Sequence, residues 1–274
     1  MNVLSLFDGM SCGQIALQRA GIHVDNYYAS EIDQYAIQVT QKNFPNTIQL
    51  GTVTDLNVSE IPKIDLLIGG SPCTGFSFAG KKQGLEDPRS NLFFEFVRVL
   101  KECKPTYFLL ENVPMKKEHQ DTISKHLGLE PVLINSNLVS AQNRKRLYWT
   151  NIPDVTQPDD KGILLKDIIT TGGTPYCCAS SGRGNGKVER RVTSTLKAHT
   201  LTAGGYGSRS FSGSIDDGVT RKLSPVECEK LQTVPDNYTE GVSNTQRYRM
   251  LGNGWTVDVI AHIFSGSRLE IGAS

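Results

Sequence analysis

The sequence lacks the features that would place it in a membrane or an oxidising compartment. No apolar run approaches the ~18–20 residues that a bilayer-spanning helix needs. The N-terminal segment has neither a basic region nor a small-residue cleavage site, which predicts no signal peptide. Six irregularly spaced cysteines without a CxxC pair argue against a zinc ribbon and a disulfide framework. We expect no metal site, no membrane association, no secretion and a reducing compartment.

The net charge is also close to zero, since the chain has 29 lysines and arginines and 28 aspartates and glutamates. Proteins that bind nucleic acid are usually basic overall. Residues 171–222, however, hold eight basic and three acidic residues, so this segment carries +5 and the rest of the chain −4. The segment is rich in glycine, serine and threonine. Two interpretations stay open: a flexible linker, and a loop-rich module that meets a phosphate backbone.

Through residues 1–155, short β-branched or aromatic runs alternate with longer amphipathic stretches. The short runs, which predict strands, are Val3–Phe7, Tyr27–Ala29, Ile64–Ile68, Tyr107–Leu110, Val132–Ile134 and Leu147–Trp149. The amphipathic stretches, which predict helices, are Gln14–Ala20, Asp33–Asn43, Asn91–Cys103 and Lys116–Leu127. Such alternation is typical of an α/β fold with a mostly parallel, doubly wound sheet.

Two prolines and a helix-capping sequence predict the bounds of a second, smaller domain. Pro153 and Pro158 mark a boundary, and SPVECEKLQ has the serine cap, proline and glutamate of a helix start. A final helical pattern, Thr245–Phe264, is interrupted at Gly252–Gly254. We predict a main domain of residues 1–155 and 223–274, onto which the C-terminal helix packs, and a small irregular domain of residues 156–222.

Polar or reactive side chains follow four of the predicted strands: Asp8, Glu31, Cys73 and Glu111. In an open parallel sheet, ligands bind beyond the carboxyl ends of the strands. The turn FDGMSCG opens a helix, and Glu31 stands where a carboxylate accepts from ribose hydroxyls. Together they indicate an adenosine-containing cofactor. Two carboxylates would repel a diphosphate but tolerate a cation such as a sulfonium.

The loop GGSPCTGFSFAG holds a candidate nucleophile, Cys73. Pro72 stiffens the approach to it, and a polar, glycine-rich loop keeps the thiol accessible. A reactive thiolate needs cationic neighbours, for which Arg144 and Arg146 of QNRKRLYW are candidates. Glu111 directly follows a strand, where a carboxyl either caps a helix or transfers a proton.

In this order the motifs resemble the DNA (cytosine-5)-methyltransferase family in its unpermuted arrangement. The resemblance rests on FDGMSCG, SEID, GGSPC, ENV, QNRKR, LSPVECEKLQTVPDNYT and LGNGWTVDVI and covers nearly the whole chain outside about 156–220. FDGMSCG, SEID, GGSPC and LGNGWTV are similar to the eukaryotic de novo type, and LSPVECEKLQTVPDNYT to bacterial and phage enzymes. The resemblance implies a Rossmann-like S-adenosylmethionine-dependent methyltransferase with a small target recognition domain.

The family's chemistry implies a role for each motif. The target cytosine is flipped out of the duplex, because its reacting atoms are buried in the base stack. Cys73 attacks carbon 6, Glu111 holds or protonates N3, and carbon 5 takes the methyl group, leaving S-adenosylhomocysteine. Arg144 and Arg146 bind the O2 of the base and position the loop, with Arg144 as the more direct contact.

The resemblance also implies a cofactor site in which Glu31 contacts the ribose and Ile32 the adenine. The implied cofactor-binding residues are Phe7, Asp8, Gly9, Ser11, Cys12, Gly13, Glu31, Ile32, Thr52, Val53, Ser71, Pro72, Leu92, Asn253, Gly254 and Trp255. The family often has an aspartate that accepts from the adenine amino group. Here Thr52 stands in its place, so either Thr52 or Asp55 makes this contact, and we expect weak cofactor affinity.

The basic segment coincides with the family's target recognition domain, which implies double-stranded DNA as the partner. The predicted DNA contacts are Arg183, Arg190, Arg191, Lys197 and Arg209. There is no nuclease motif, so any restriction endonuclease is expected to be a separate chain. The expected location is the cytoplasm of a prokaryotic or phage-infected cell, or the nucleus of a eukaryote.

Three alternatives are weighed against this prediction. The first is the same chemistry on RNA, as in tRNA cytosine-5 methylation; the basic segment and the Gly-Ser-Pro-Cys loop favour DNA. The second is a catalytically inactive, DNA-binding regulatory relative. The presence of all the proposed catalytic residues argues against it. The third is an NAD-type oxidoreductase, which the missing GxGxxG pattern disfavours.

Overall fold

The computed structural model describes residues 1–72, 91–170, 172–180, 188–191, 196–203, 210–216 and 219–266. The predicted nucleophile Cys73 and the predicted DNA contacts Arg183 and Arg209 lie outside these residues, as do the side chains of Arg190 and Arg191. None of the described helices is both long and apolar enough to cross a membrane.

Strands and helices alternate through the first 150 residues, as the sequence predicts. Their bounds are β1 Asn2–Leu6, α1 Cys12–Arg19, β2 Asn26–Ser30, α2 Gln34–Asn43, β3 Ile48–Gln49, β4 Leu66–Gly69, α3 Asn91–Cys103, β5 Tyr107–Asn112, α4 Lys117–Leu127, β6 Val132–Asn135 and β7 Lys145–Thr150. The later elements are α5 Leu165–Ile168, β8 Thr174–Ser180, β9 Val188–Arg191, β10 Ser210–Asp216, β11 Val219–Lys222, α6 Pro225–Leu231, α7 Asn244–Asn253 and α8 Val257–Ser265. The short strand β3 is the element of the first sheet that sequence patterning missed.

The first sheet has seven strands in the order β3-β2-β1-β4-β5-β7-β6. Its strands β1 to β5 pair in parallel, whereas β7 runs antiparallel to β5. This confirms the predicted mostly parallel sheet. Strand order switches at β1, which lies between β2 and β4, and in such folds the crevice beyond the carboxyl ends of the strands at this point binds ligands.

The centre of this sheet is buried on both faces, as parallel sheets usually are. Val3 and Leu4 point to opposite faces of β1, and neither is accessible to solvent. Gly69 ends β4 where Phe96 of α3 packs, since a Cβ at Gly69 would lie 3.1 Å from the Phe96 ring. The buried core on the α3 side consists of Leu4, Leu6, Tyr28, Val53, Leu56, Ile64, Leu67, Phe93, Phe96, Val97, Val99, Phe108, Leu110, Met115, Ile123, Leu147 and Trp149.

The chain divides into two compact units. The first comprises Met1–Ile134, Lys145–Gln157 and Ile260–Ser274, and the second comprises Asn135–Arg144 and Pro158–Val259. The second unit extends beyond the small domain predicted for residues 156–222. It takes in α6 and α7, because these helices share buried hydrogen bonds with residues 140–144.

Within the second unit, strands of the basic segment form an antiparallel sheet in the order β11-β10-β8-β9. The described residues of the segment thus include four paired strands, which favours the loop-rich module over the flexible linker. Close chain packing accounts for Gly213 of β10, because a Cβ there would lie 2.0 Å from the carbonyl oxygen of Arg221.

The C-terminal helices begin and end as their local sequence predicts. Ser224 Oγ accepts from the Glu227 amide, and the Glu227 carboxylate accepts from the Ser224 amide at 2.7 Å, which is a complete capping box. The final helical pattern splits into α7 and α8. Gly252 lies at the end of α7 because the backbone of Thr202 crosses it, where a Cβ would stand 2.1 Å from the Thr202 carbonyl carbon.

Candidate active site

The turn between β1 and α1 leaves its backbone open to a ligand. Phe7, Gly9 and Ser11 have φ values of 57°, 61° and 58°. This left-handed conformation costs a non-glycine residue ~1–2 kcal/mol, so the surroundings must hold it. Among the described residues, apart from Gly9 and its two chain neighbours, no atom lies within 4 Å of the position of a Cβ at Gly9, so a ligand can approach here. Cys12 and Gly13, also predicted to bind cofactor, follow as buried residues of the first turn of α1.

Asp8 is the polar centre of this turn. Its Oδ1 accepts from the Tyr27 hydroxyl at 2.8 Å, and its Oδ2 accepts from the Ser11 hydroxyl. Burial raises the pKa of Asp8 to about 6, while the hydrogen bonds from Ser11, Ser5 and Tyr27 oppose the rise. Tyr27, which sequence analysis did not single out, thus helps to fix the turn from the neighbouring strand.

Replacing Asp8 by asparagine should stabilise the protein at pH 8 and not at pH 4. The folded-state pKa of about 6 lies above the ordinary 3.8, so the contribution of Asp8 to stability is fully present below pH 4 and is lost as the pH rises through 6. An asparagine side chain carries no charge to bury, and we expect the variant's advantage to reach at most ~3 kcal/mol at pH 8. Urea unfolding at both pH values measures it. The exposed carboxylate variant Asp121→Asn serves as control, and an equal advantage of Asp8→Asn at both pH values would contradict this account.

Glu31 ties the end of β2 to the same turn. Its Oε2 accepts from the Gly9 amide at 2.7 Å, and its Oε1 accepts from the amides of Ile32 and Asp33 at 2.7 and 2.8 Å. A carboxylate oxygen can accept two hydrogen bonds, so Oε2 retains capacity for a ribose hydroxyl. The structure therefore brings together Gly9 and Glu31, which were predicted to bind the cofactor together.

Two other predicted cofactor residues, the exposed Ile32 and the half-buried Thr52, follow β2 and β3. Ile32 is 73% exposed, which leaves an aliphatic surface that a flat ring can cover. Thr52 follows β3 and lies within hydrogen-bonding distance of Thr54, whose hydroxyl in turn donates to Asp55. Thr52 and Asp55 thus belong to one hydrogen-bonded turn, and the choice between them stays a prediction.

Val53 and Leu92 have a different environment from the other predicted cofactor residues. Val53 is buried in the hydrophobic core, and Leu92 packs against that core from α3. Their side chains contribute to the hydrophobic core beside the predicted cofactor site. Any direct contact of Val53 with a ligand would therefore come from its backbone.

The segment that leads to Cys73 is fixed by an unpredicted residue, Asn112. The Asn112 amide group donates to Ser71 Oγ at 3.2 Å, and both side chains are buried. Pro72 follows and is exposed. The signal for Asn112 was its place in the ENV motif, directly after Glu111.

Glu111 and Arg146 form an ion pair at the end of β5. The Arg146 Nε lies 2.8 Å from Glu111 Oε1, and the two side chains are only 12% and 11% exposed. The antiparallel pairing of β5 with β7 produces this contact. It sets Glu111 opposite Tyr148, so Arg146, two residues earlier on β7, lies diagonally across from the carboxylate.

The geometry does not favour the predicted role of Arg144 as the more direct base contact, which stays a prediction. Its guanidinium is buried and donates to the carbonyl oxygens of Leu201, Gly252 and Gly254 at 2.7, 3.0 and 2.8 Å. Like Arg144 itself, all three acceptors belong to the second unit. Arg146, whose partner is a carboxylate at a strand end, fits the base-contacting role better.

Buried amide side chains extend the Arg144 contacts. Gln142 Nε2 donates to the Leu231 carbonyl at 2.7 Å and to Gln232 Oε1 at 2.9 Å. Gln232 Nε2 donates to the carbonyls of Leu251 and Gly254. Together these bonds hold the backbone of residues 251–254, which includes the predicted cofactor residues Asn253 and Gly254. Asn253 is exposed, whereas Gly254 and the next predicted cofactor residue, Trp255, are half-buried.

Lys197, a predicted DNA contact, is engaged within its own unit. Its ammonium donates to the carbonyl oxygens of Asn137 and Ser140 at 2.6 and 3.1 Å. Burial lowers the pKa of Lys197. A lysine held in this way supports the fold of the basic segment, and its geometry does not favour a phosphate contact.

Comparisons with solved structures show the fold. The chain resembles the Entamoeba histolytica methyltransferase EhMeth with a TM-score of 0.75 and 17% identity over 97% of each chain. It resembles a variant of Spodoptera frugiperda DNMT2 with a TM-score of 0.71 and 19% identity, over 97% of this chain and 98% of the other.

Sequence comparisons show the family. The chain is 28% identical to the type II methyltransferase M.HhaI of Haemophilus parahaemolyticus, over 96% of this chain and 93% of the relative. It is 29% identical to M.NlaX of Neisseria lactamica, over 99% and 97% of the two chains. A sequence model of C-5 cytosine-specific DNA methylases matches residues 1–157 and 166–267. A match over almost the whole length shows that the chain belongs to the C-5 cytosine-specific DNA methylase family.

Proposed function

We propose that this protein is a DNA (cytosine-5)-methyltransferase in which Cys73 is the nucleophile and Glu111 and Arg146 bind the target base. The observation that carries the proposal is the Glu111–Arg146 ion pair beside the Ser71–Asn112 hydrogen bond, in a chain of this family. Ser71 is two residues before Cys73, so Asn112 fixes the start of the nucleophile's loop relative to Glu111. The acid Glu111 and the cation Arg146 thus lie together at the end of β5, and the chain reaches the proposed nucleophile two residues after Ser71.

Each residue has a distinct task in the reaction. The Cys73 thiolate forms a bond to carbon 6 of the cytosine while Glu111 holds or protonates N3, so carbon 5 becomes nucleophilic. Arg146 donates to the O2 of the base and stabilises the charge that develops on the ring. At the end of the cycle a water molecule takes the proton from carbon 5, the bond between Cys73 and carbon 6 breaks to release the thiolate, and N3 returns to Glu111 any proton that it took. A preceding base flip exposes the ring.

The residues of the first unit fit S-adenosylmethionine. When bound, this cofactor supplies the methyl group that carbon 5 receives. The open backbone at Gly9 can approach the ligand, Oε2 of Glu31 can accept from a ribose hydroxyl, and the exposed Ile32 can cover one adenine face. Asp8 holds the turn in shape, and Thr52 or Asp55 accepts from the adenine amino group.

For DNA, we propose that affinity comes from the arginines of the basic segment. Arg183, Arg190, Arg191 and Arg209 are the proposed contacts, since Lys197 is bound to backbone carbonyls. Phosphate contacts of this kind give salt-dependent binding without sequence information. If a restriction endonuclease acts on the same DNA, we still predict that it is a separate chain.

Covalent trapping tests the proposal. A mixed-sequence duplex that carries 5-fluorocytosine should form a stable adduct with the protein in the presence of S-adenosylmethionine, because fluorine at carbon 5 prevents release of Cys73. Denaturing gel electrophoresis detects the adduct, and mass spectrometry places it on Cys73. Cys73→Ala should form none, while Cys228→Ala, which removes a buried cysteine of α6, should leave adduct formation intact.

Two outcomes contradict the proposal. The absence of an adduct on duplex DNA would exclude the mechanism on this substrate, and an adduct that survives Cys73→Ala would exclude Cys73 as nucleophile. A parallel reaction with tRNA separates the RNA alternative: methyl transfer from tritiated S-adenosylmethionine to tRNA, with none to DNA, would assign the same chemistry to RNA.

A further inference from the structure

The turn that holds Thr52 has little support from the sheet itself. Strand β3 contributes only two residues, which pair with Tyr28 and Ala29 of β2. After β3 the chain makes a single 3-10 turn, Val53–Asp55. A hydrogen bond from Ser30 Oγ to the Gly51 carbonyl at 2.9 Å holds the backbone just before the turn.

Arg98 of α3 contacts the turn itself. Its Nη2 donates to the Val53 carbonyl at 2.9 Å, and its Nη1 donates to the Leu56 carbonyl at 3.3 Å. The guanidinium therefore bridges both ends of the 3-10 turn from a helix more than forty residues later in the chain. The side chains of Val53 and Leu56 are buried in the core against α3, so apolar and polar contacts fix the turn together.

The guanidinium is itself fixed in its orientation. Its Nε lies 2.8 Å from Glu95 and its Nη1 2.9 Å from Glu102, at the i−3 and i+4 positions of α3. An arginine held on both sides by carboxylates loses little further freedom when it binds the two carbonyls. A planar fork with several donors is the side chain that can make all four contacts at once.

We propose that Arg98 is a positioning residue for adenine recognition. It holds the turn Thr52–Leu56 in the position from which Thr52 or Asp55 accepts a hydrogen bond from the adenine amino group. This inference rests on the proposed function, because it assigns the turn to the cofactor. It adds a residue from outside the site to the determinants of cofactor selectivity, and it locates that residue on α3, the helix that starts directly after the segment containing Cys73.

The test compares two ligands that differ at the adenine amino group, S-adenosylhomocysteine and S-inosylhomocysteine. Their Kd values are measured by calorimetry on the full chain for wild type, Arg98→Met and Arg98→Lys, with Lys101→Ala, an exposed cation of the same helix, as control. Wild type and control should prefer the adenine ligand. In Arg98→Met we expect about tenfold weaker binding of S-adenosylhomocysteine, because small displacements of a positioning group are costly. Binding of the inosine ligand should change less than twofold, so the preference is lost, and Arg98→Lys should restore part of it.

The possible results separate a positioning role from a merely structural one. Equal weakening of both ligands in Arg98→Met would mean that Arg98 supports the fold in general, and an unchanged preference would mean that it does not act on this turn; either overturns the inference. A wild-type protein that binds both ligands equally would overturn it as well while leaving the proposed function intact. A wild-type protein that binds neither ligand would contradict the proposed function itself.

Discussion

Arg146→Met should lower kcat for methyl transfer to DNA by about 10²- to 10³-fold, which is the usual cost of removing a donor that stabilises developing charge. Arg146 is placed for this role by its ion pair with Glu111, in which both side chains are mostly buried. Its loss removes the donor to O2 and also leaves the Glu111 carboxylate without its cation. Single-turnover methylation of duplex DNA measures the effect, because it reports the chemical step without product release.

Two controls distinguish catalysis from folding. Lys145→Met changes the exposed neighbouring cation and should keep wild-type rates. The double variant Glu111→Gln with Arg146→Met removes both buried charges, so it should recover stability relative to the single variant. Circular dichroism of Arg146→Met at the assay temperature checks its folding. If Arg146→Met kept the wild-type rate while folded, or lost it only because the protein was unfolded, the catalytic assignment would be wrong.

Arg144→Met should instead destabilise the protein, by about 3–5 kcal/mol in the free energy of unfolding. The substitution removes a buried cation that donates to three backbone carbonyls, of which Gly254 retains a bond from Gln232. The carbonyls of Leu201 and Gly252 then lose the Arg144 bond in a buried position. Denaturant unfolding followed by circular dichroism measures the change.

Arg144→Lys sharpens this prediction, since one ammonium cannot reach all the acceptors and should restore only part of the stability. Lys145→Met again serves as the control and should unfold like wild type. If Arg144→Met kept the wild-type unfolding midpoint but lost methyl transfer, Arg144 would contact the base directly and the sequence-based assignment would stand.

Much of the fold is predictable because it depends on local patterns. The apolar spacing in Asn91–Cys103 predicts helix α3 with the bounds that the structure shows, and the cap at Ser224 predicts the start of α6. Strand β3 was missed because two residues are too few to show a period. The family's motifs, in turn, indicated the cofactor turn, whose members Gly9 and Glu31 the structure joins by a hydrogen bond.

The sequence by itself therefore determined the order of strands and helices, the family and the candidate residues at the strand ends. Tertiary structure decided which of them meet. Two arginines at i and i+2 look equivalent in the sequence, yet the antiparallel β7 brings Arg146 to Glu111, whereas Arg144 binds carbonyls 57 to 110 residues further along the chain. Periodicity and caps act within a few residues and are readable locally. The partners of a buried cation depend on how distant segments pack, and no local pattern contains that information.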